Sequence, residues 1–334
     1  MLSVLLAGCF SDPPAQGSGS TSEDATSVAD STGVSSSSGA DETSAEGTTT
    51  GVGSSSSGTG MSDTSSTEGT GSSTGFSGGC RENEVQIGSL CLVPLDVESV
   101  VTDTEPDGFA PLDGESCLVA TCSDGSALGG GFLLQGALAY GSHREAGGDA
   151  WRVCGDAEPE ATPNAWQSFA RCAVGGGDVL VNTETYELDG GEGLNCFESL
   201  CPAGTTLVGG GGRWGPTFGF LGSEPADLAT GMQWQVCGVG GGAASVVEVD
   251  AYCAVLPGGM TVGMYEEVQP IQPGDSGCVE SSCPGGMMLG GGVGGAVTST
   301  VLASYPTADR WVACGRPDFA SAVNVRSRVL CLEG

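Results

Sequence analysis

Of the fifteen cysteines, twelve fall into three sets of four with similar spacing, and no other feature narrows the fold as much. The sets are Cys117, Cys122, Cys154 and Cys172; Cys196, Cys201, Cys237 and Cys253; and Cys278, Cys283, Cys314 and Cys331. In each set four residues separate the first two Cys, and Gly155, Gly238 or Gly315 follows the third. Three residues before that third Cys stands Trp151, Trp234 or Trp311. Glycines recur as well: Gly125, Gly204 and Gly286 lie three residues after the second Cys. Leu128, Leu207 and Leu289 lie six after it and lead into the runs Gly129–Gly131, Gly209–Gly212 and Gly290–Gly292. A period of about eighty residues with this many shared columns means tandem modules or a pseudosymmetric ring. The columns alone leave open whether the copies close into one ring or form a string of domains.

Each copy reads as β. Strand candidates are Val179–Leu188, Val262–Ile271, Trp234–Cys237, Val246–Val255 and Ala322–Leu330, rich in Val, Tyr and Trp and punctuated by Gly, Pro or Asp. No stretch sustains an apolar period of 3.6 residues. The expectation is all-β: three disulfide-stapled modules of five or six short strands each, over residues 97–177, 178–257 and 258–334. Residues 80–96 precede them. Within these, Glu84–Pro94 matches the closing strand Glu248–Pro257, which predicts an orphan closing strand or hairpin ahead of the first full module.

The pattern Cys-Pro-x-Gly…Leu-x-Gly-Gly…Trp-x-Val…Cys, at Cys201–Cys253 and Cys283–Cys331, resembles a repeat of secreted bacterial proteins. Module 1 has Ser123 where the others have Pro202 and Pro284. The threefold repeat is also similar to that of vitelline-membrane outer-layer proteins, which implies a pseudo-threefold β-prism-like arrangement. Four Cys in a module allow three pairings. Repeats of the secreted type often keep only the Cys-Pro and closing-strand Cys. The resemblance therefore implies Cys122–Cys172, Cys201–Cys253 and Cys283–Cys331, with Cys117–Cys154, Cys196–Cys237 and Cys278–Cys314 as the added pairs. Cys80–Cys91 then closes the N-terminal hairpin.

The fifteenth cysteine stands in Leu6-Ala7-Gly8-Cys9, which resembles the lipobox of bacterial lipoproteins. That likeness implies that residues 1–8 are the remnant of a signal peptide whose true start lies upstream, and that Cys9 is acylated. Phe10, rather than Asp, follows Cys9, and by the same resemblance this favours the outer membrane. Residues 9–79 then form a Ser/Thr/Gly-rich stalk too polar to offset chain entropy, and disorder is expected. A coil of that length spans roughly 40–50 Å root-mean-square. The expected location is exported and lipid-anchored at the cell surface, facing an oxidising environment in which an even set of cysteines forms disulfides.

Charge restricts partners. With 41 acidic residues, nine Arg and no Lys, the net charge is −32, and phosphate backbones repel such a chain, so no nucleic-acid partner is expected. The lone His143 excludes sites built from several imidazoles, and the absence of Lys excludes P-loop and Schiff-base chemistry. No cofactor and no metal site is expected. Asp103, Asp107, Asp113 and Glu115, with Asp189, Glu192 and Asp275 at like places, read as solvated turn residues ahead of calcium ligands. The Gly runs read as close backbone approaches and the three shared Trp as core. Trp214, outside the shared columns, is the candidate exposed ligand contact. Ser142–His143–Glu145 makes no triad, since neighbours on a strand point to opposite faces. The functional expectation is a non-enzymatic binding or structural head with a glycan, envelope component or protein as ligand; the alternative is a secreted hydrolase with an unrecognised site.

Overall fold

Alternation shows how the strands arise. In Val323-Asn324-Val325-Arg326-Ser327, Val323, Val325 and Ser327 are buried while Asn324 is exposed and Arg326 partly so, as period-two geometry requires of a sheet with one face in the core. The computed structural model describes residues 80–105, 116–134, 137–157, 166–188, 193–215, 217–228, 231–295 and 299–334. The signal remnant, Cys9 and the stalk, together with Asp107, Asp113, Glu115, Asp189 and Glu192, lie outside the described residues. Among those described there is no helix.

The chain begins with a hairpin, β1 (Val85–Ile87) and β2 (Leu90–Leu92), which pair only with each other. Of the two alternatives for residues 80–96, the structure shows the hairpin, closed by Cys80–Cys91, rather than a single closing strand. Gly88, at φ +57°, turns the chain where β14 (Ser245–Ala254) runs straight.

Eighteen strands follow, six per module, and no sheet belongs to one module. The sheet between modules 1 and 2 has the order β4 (Ser116–Thr121), β7 (Ala150–Ala157), β6 (Ala137–Arg144), β11 (Thr206–Trp214), β14 and β9 (Val179–Leu188). The sheet between modules 2 and 3 runs β10 (Leu194–Leu200), β13 (Gly231–Gly240), β12 (Phe218–Leu228), β17 (Met287–Gly294), β20 (Val323–Glu333), β15 (Thr261–Ile271). The third runs β16 (Gly277–Ser282), β19 (Arg310–Pro317), β18 (Ser299–Pro306), β5 (Ser126–Leu134), β8 (Trp166–Gly176), β3 (Asp96–Glu105), and so joins module 3 back to module 1. Each module thus gives three strands to one sheet and three to the next. The ring is closed, with three sheets in pseudo-threefold relation, and one continuous core draws on all three modules.

The inter-module joints are short ladders. β6 meets β11 only through Ser142↔Gly212 and Gly141↔Arg213; β12 meets β17 through Gly222↔Gly294 and Ser223↔Val293; β18 meets β5 through Ala303↔Leu133 and Ser304↔Phe132. Packing at the centre carries the rest. Gly129, Gly209 and Gly290 converge there, with Gly290 lying where an added Cβ would stand 3.8 Å from the Cα of each of the other two. One residue further along, Gly130, Gly210 and Gly291 lie under Trp151, Trp234 and Trp311, and a Cβ on any of them would overlap the indole. Each buried indole donates to the hydroxyl of a shared serine: Trp151 to Ser142 at 2.9 Å, Trp234 to Ser223 at 2.8 Å, Trp311 to Ser304 at 3.0 Å.

These contacts also show which columns are equivalent. Cys172, Cys253 and Cys331 face Ala127, Leu207 and Met288, so the residue matching Leu128 and Leu289 in space is Val208. The Leu207 column of the sequence is therefore one residue out. Module 2 carries an extra residue between Cys201 and its glycine run, and its turn meets the N-terminal hairpin, where Ile87 Cδ1 lies 2.8 Å from the position of a Cβ on Gly204.

Disulfides join Cys80–Cys91, Cys117–Cys154, Cys122–Cys172, Cys196–Cys237, Cys201–Cys253, Cys278–Cys314 and Cys283–Cys331. They are of two structural kinds. Cys117–Cys154, Cys196–Cys237 and Cys278–Cys314 link directly opposite residues on paired strands, with Cα atoms 4.0–4.1 Å apart. Cys122–Cys172, Cys201–Cys253 and Cys283–Cys331 instead tie the end of one sheet's edge strand to an inner strand of the neighbouring sheet, with Cα atoms 5.5–5.7 Å apart. The second kind holds the corners of the ring.

Candidate functional site

Inside, the three sheets are near copies; outside, they differ. The residue after each shared serine points away from the core: His143 on β6, Glu224 on β12, Tyr305 on β18. On the neighbouring strand, across Gly211, Gly292 and Gly131, stand Asp250, Arg328 and Phe169. One position is therefore built in three chemistries.

In the 2–3 sheet the position is filled by ions. The Glu224 carboxylate is 2% exposed and is covered by Arg326, whose Nε donates at 3.0 Å and whose second nitrogen also bonds, and by Arg328 at 3.6 Å. Arg328 in turn donates to Glu266 at 2.6 Å and to the Pro225 carbonyl at 3.0 Å. In the 3–1 sheet it is filled by aromatic carbon: Tyr305 and Phe169 stack with centroids 4.9 Å apart, beside Leu133 and Leu302.

In the 1–2 sheet it is occupied by His143 and Asp250, both buried, and the space beside His143 stays open. His143 is 7% exposed, makes no hydrogen bond, and its Nδ1 is buried without a partner. Burial, then the positive charge of Arg213, holds its pKa down at about 4; Glu145 opposes and Arg152 adds to the depression. The imidazole is neutral at pH 7. Beside it lies a cavity of about 240 Å³ lined by Tyr140, Gly141, His143, Cys154, Arg213, Trp214, Val246 and Glu248. Its floor is Gly141, where a Cβ would stand 3.4 Å from Arg213 Cγ and 3.5 Å from His143 Nδ1. Arg213 and Glu248 are directly opposite on paired strands and form an ion pair. Asp250 accepts from the Thr183 hydroxyl at 2.5 Å, and burial raises its carboxyl above the usual range.

Trp214 is not an exposed contact. It is 4% exposed, donates to the Ala139 carbonyl at 2.6 Å and stacks on Phe220 at 4.2 Å with ring planes 6° apart. It lies four positions after Gly210, the glycine beneath Trp234, and an even offset on a strand puts it on the same inward face. It touches the cavity as part of the wall. Ser142, His143 and Glu145 do not converge: Ser142 faces inward to Trp151, and Glu145 is paired with Arg152. Asp103 accepts from both the backbone nitrogen (2.8 Å) and the hydroxyl (3.0 Å) of Ser123, so it anchors the turn where module 1 lacks the proline of its fellows. The only grouping of metal-ligand types among the described residues is Cys80, Glu84 and Cys91, and its two sulfurs are joined to each other. Sequence reasoning missed Tyr140, Arg213 and Glu248 as site residues. One signal for Arg213 was present: it ends the glycine run of module 2 with a charge where Leu133 and Gly294 stand in the other copies.

A scan against protein-family models and a search of the curated proteins find no match for this chain.

Proposed function

We propose that this chain is an exported surface lipoprotein, anchored through Cys9, whose disulfide-stapled head binds a component of the cell surface or its surroundings. The head binds through one face, the outer side of the 1–2 sheet. The observation that carries this reading is the unfilled cavity beside His143, at a position that the other two sheets close with their own side chains. Three matched sites, which threefold repetition suggests, are disfavoured by the unlike side chains at the equivalent positions. The many disulfides suit an oxidising compartment outside the cytosol.

The test is co-sedimentation of the folded head with envelope fractions and extracellular material. Capture by wild type that is lost in Arg213→Ala and kept in Arg310→Gln supports the reading. Equal capture by all three overturns the choice of face. The alternative, a secreted hydrolase, has one observation in its favour, since a unique polar cluster is what an active site requires. Turnover of a captured polymer, abolished in His143→Gln, would make it the better reading.

A further inference from the structure

The donors and acceptors around the cavity favour one ligand chemistry. Arg213 brings several N–H donors, of which Glu248 engages part. Glu248 brings carboxylate lone pairs. Tyr140 brings a hydroxyl, which donates to Asp156 at 3.3 Å. His143, neutral and buried, lines the cavity without adding an accessible polar atom there. Arg213 and Glu248 set a donor beside an acceptor, so a ligand must offer both. An anion meets Glu248 within a chain of net charge −32; a cation meets Arg213. Hydroxyl groups both donate and accept and carry no charge. Tyr140 and Trp214 add aromatic carbon to the wall, which suits the C–H groups of a sugar ring. At about 240 Å³ the cavity lies just below the range of drug-sized pockets and holds about one ring.

We propose that the cavity over Gly141 is a subsite for one ring of an uncharged saccharide, held by Arg213, Glu248 and Tyr140 beside the buried His143. This rests on the binding-head reading above and narrows it to a ligand class. Arg213 and Glu248 bind neighbouring ring hydroxyls as a donor–acceptor pair. The glycine is the determinant of access. Gly222 and Ala303 occupy the same place in the other sheets, where Arg326, or Leu133 and Leu302, take the space instead. Ala303 also shows that this column accepts a side chain without loss of the fold.

His143 is the only histidine, so its imidazole signals in ¹H–¹³C and ¹H–¹⁵N spectra report on this cavity without assignment of the rest. The folded, oxidised protein is titrated with neutral gluco-, galacto- and manno-oligosaccharides, with anionic polygalacturonate fragments, and with cationic chitosan fragments. A saturable shift of the imidazole signals with at least one neutral series, absent with the charged ones, is the expected result. Gly141→Val should reduce that binding at least tenfold while the disulfides and melting temperature are kept; Arg310→Gln, on another sheet, should leave it unchanged. Preference for a charged series overturns the assignment of ligand class. So does a shift caused only by a protein or lipid fraction of the envelope, although the binding-head reading then stands. If the head captures envelope material while the imidazole signals stay fixed, both the subsite and the choice of face fail.

Discussion

Gly129, Gly209 and Gly290 occupy one column of the repeat, yet replacing each by alanine should have three different outcomes. At Gly290 an added Cβ meets nothing closer than the Val208 carbonyl oxygen at 3.7 Å and the two glycine Cα atoms at 3.8 Å, which is ordinary contact. Its φ lies outside the left-handed region, so alanine fits the backbone. Gly290→Ala should be neutral or stabilise by about 0.5–1 kcal/mol, because the unfolded chain loses freedom. At Gly129 the Cβ would lie 3.2 Å from the Cα of Gly290, so a shift of a few tenths of an ångström is needed. At Gly209 it would overlap the Leu128 carbonyl oxygen, and only movement of a central strand relieves that. Overpacking of this kind costs about 3 kcal/mol. The span between Gly290→Ala and Gly209→Ala is then about 4 kcal/mol. At about 2–4 °C per kcal/mol for a domain of this size, the melting temperatures should differ by about 8–16 °C. Thermal unfolding followed by near-ultraviolet circular dichroism, with disulfides intact, measures it. Equal loss in both variants would show that the three strands do not meet at the centre as described.

His143 is held neutral, so its folded pKa lies below its unfolded one, and the linked stability is present above about pH 6.5 and lost as pH falls towards 4. The loss should be about 3 kcal/mol in urea unfolding, and His143→Gln should remove that part of the pH dependence; an unchanged profile would refute the burial argument. Replacing Cys201 and Cys253 together by alanine opens a 52-residue span and should cost about 4 kcal/mol, whereas the Cys80–Cys91 pair, within a hairpin that pairs only with itself, should scarcely move the main transition in calorimetry. An excised module, residues 178–257, should stay unfolded or assemble into trimers, because its six strands are divided between two sheets; a folded monomer in sedimentation analysis would refute the exchange of strands.

The sequence by itself determined what each module is made of. The Cys columns, the Trp three residues before the third Cys, the Gly runs and the alternating Val-rich segments each mark a local requirement. Any copy that lacked them would lose a staple, an indole in the core or a close approach, so the marks recur. Val179–Leu188 reads as a strand because its β-branched residues and bounding Gly and Asp act within ten residues. Tertiary structure alone decided which module each strand serves. The joints are two residue pairs long, as at Ser142↔Gly212, and such pairs leave no local signal. It also decided that Leu207 is displaced by one from its column, that Gly88 turns an apparent closing strand into a hairpin, and that Trp214 packs inward on Phe220. The site belongs to this second class. Ser142, Ser223 and Ser304 align in sequence, but whether the next residue is satisfied depends on partners about a hundred residues away. Arg326 reaches Glu224 and Phe169 reaches Tyr305. His143 is met by no such partner, and a cavity remains because side chains brought together by the fold, rather than by the chain, leave that space open.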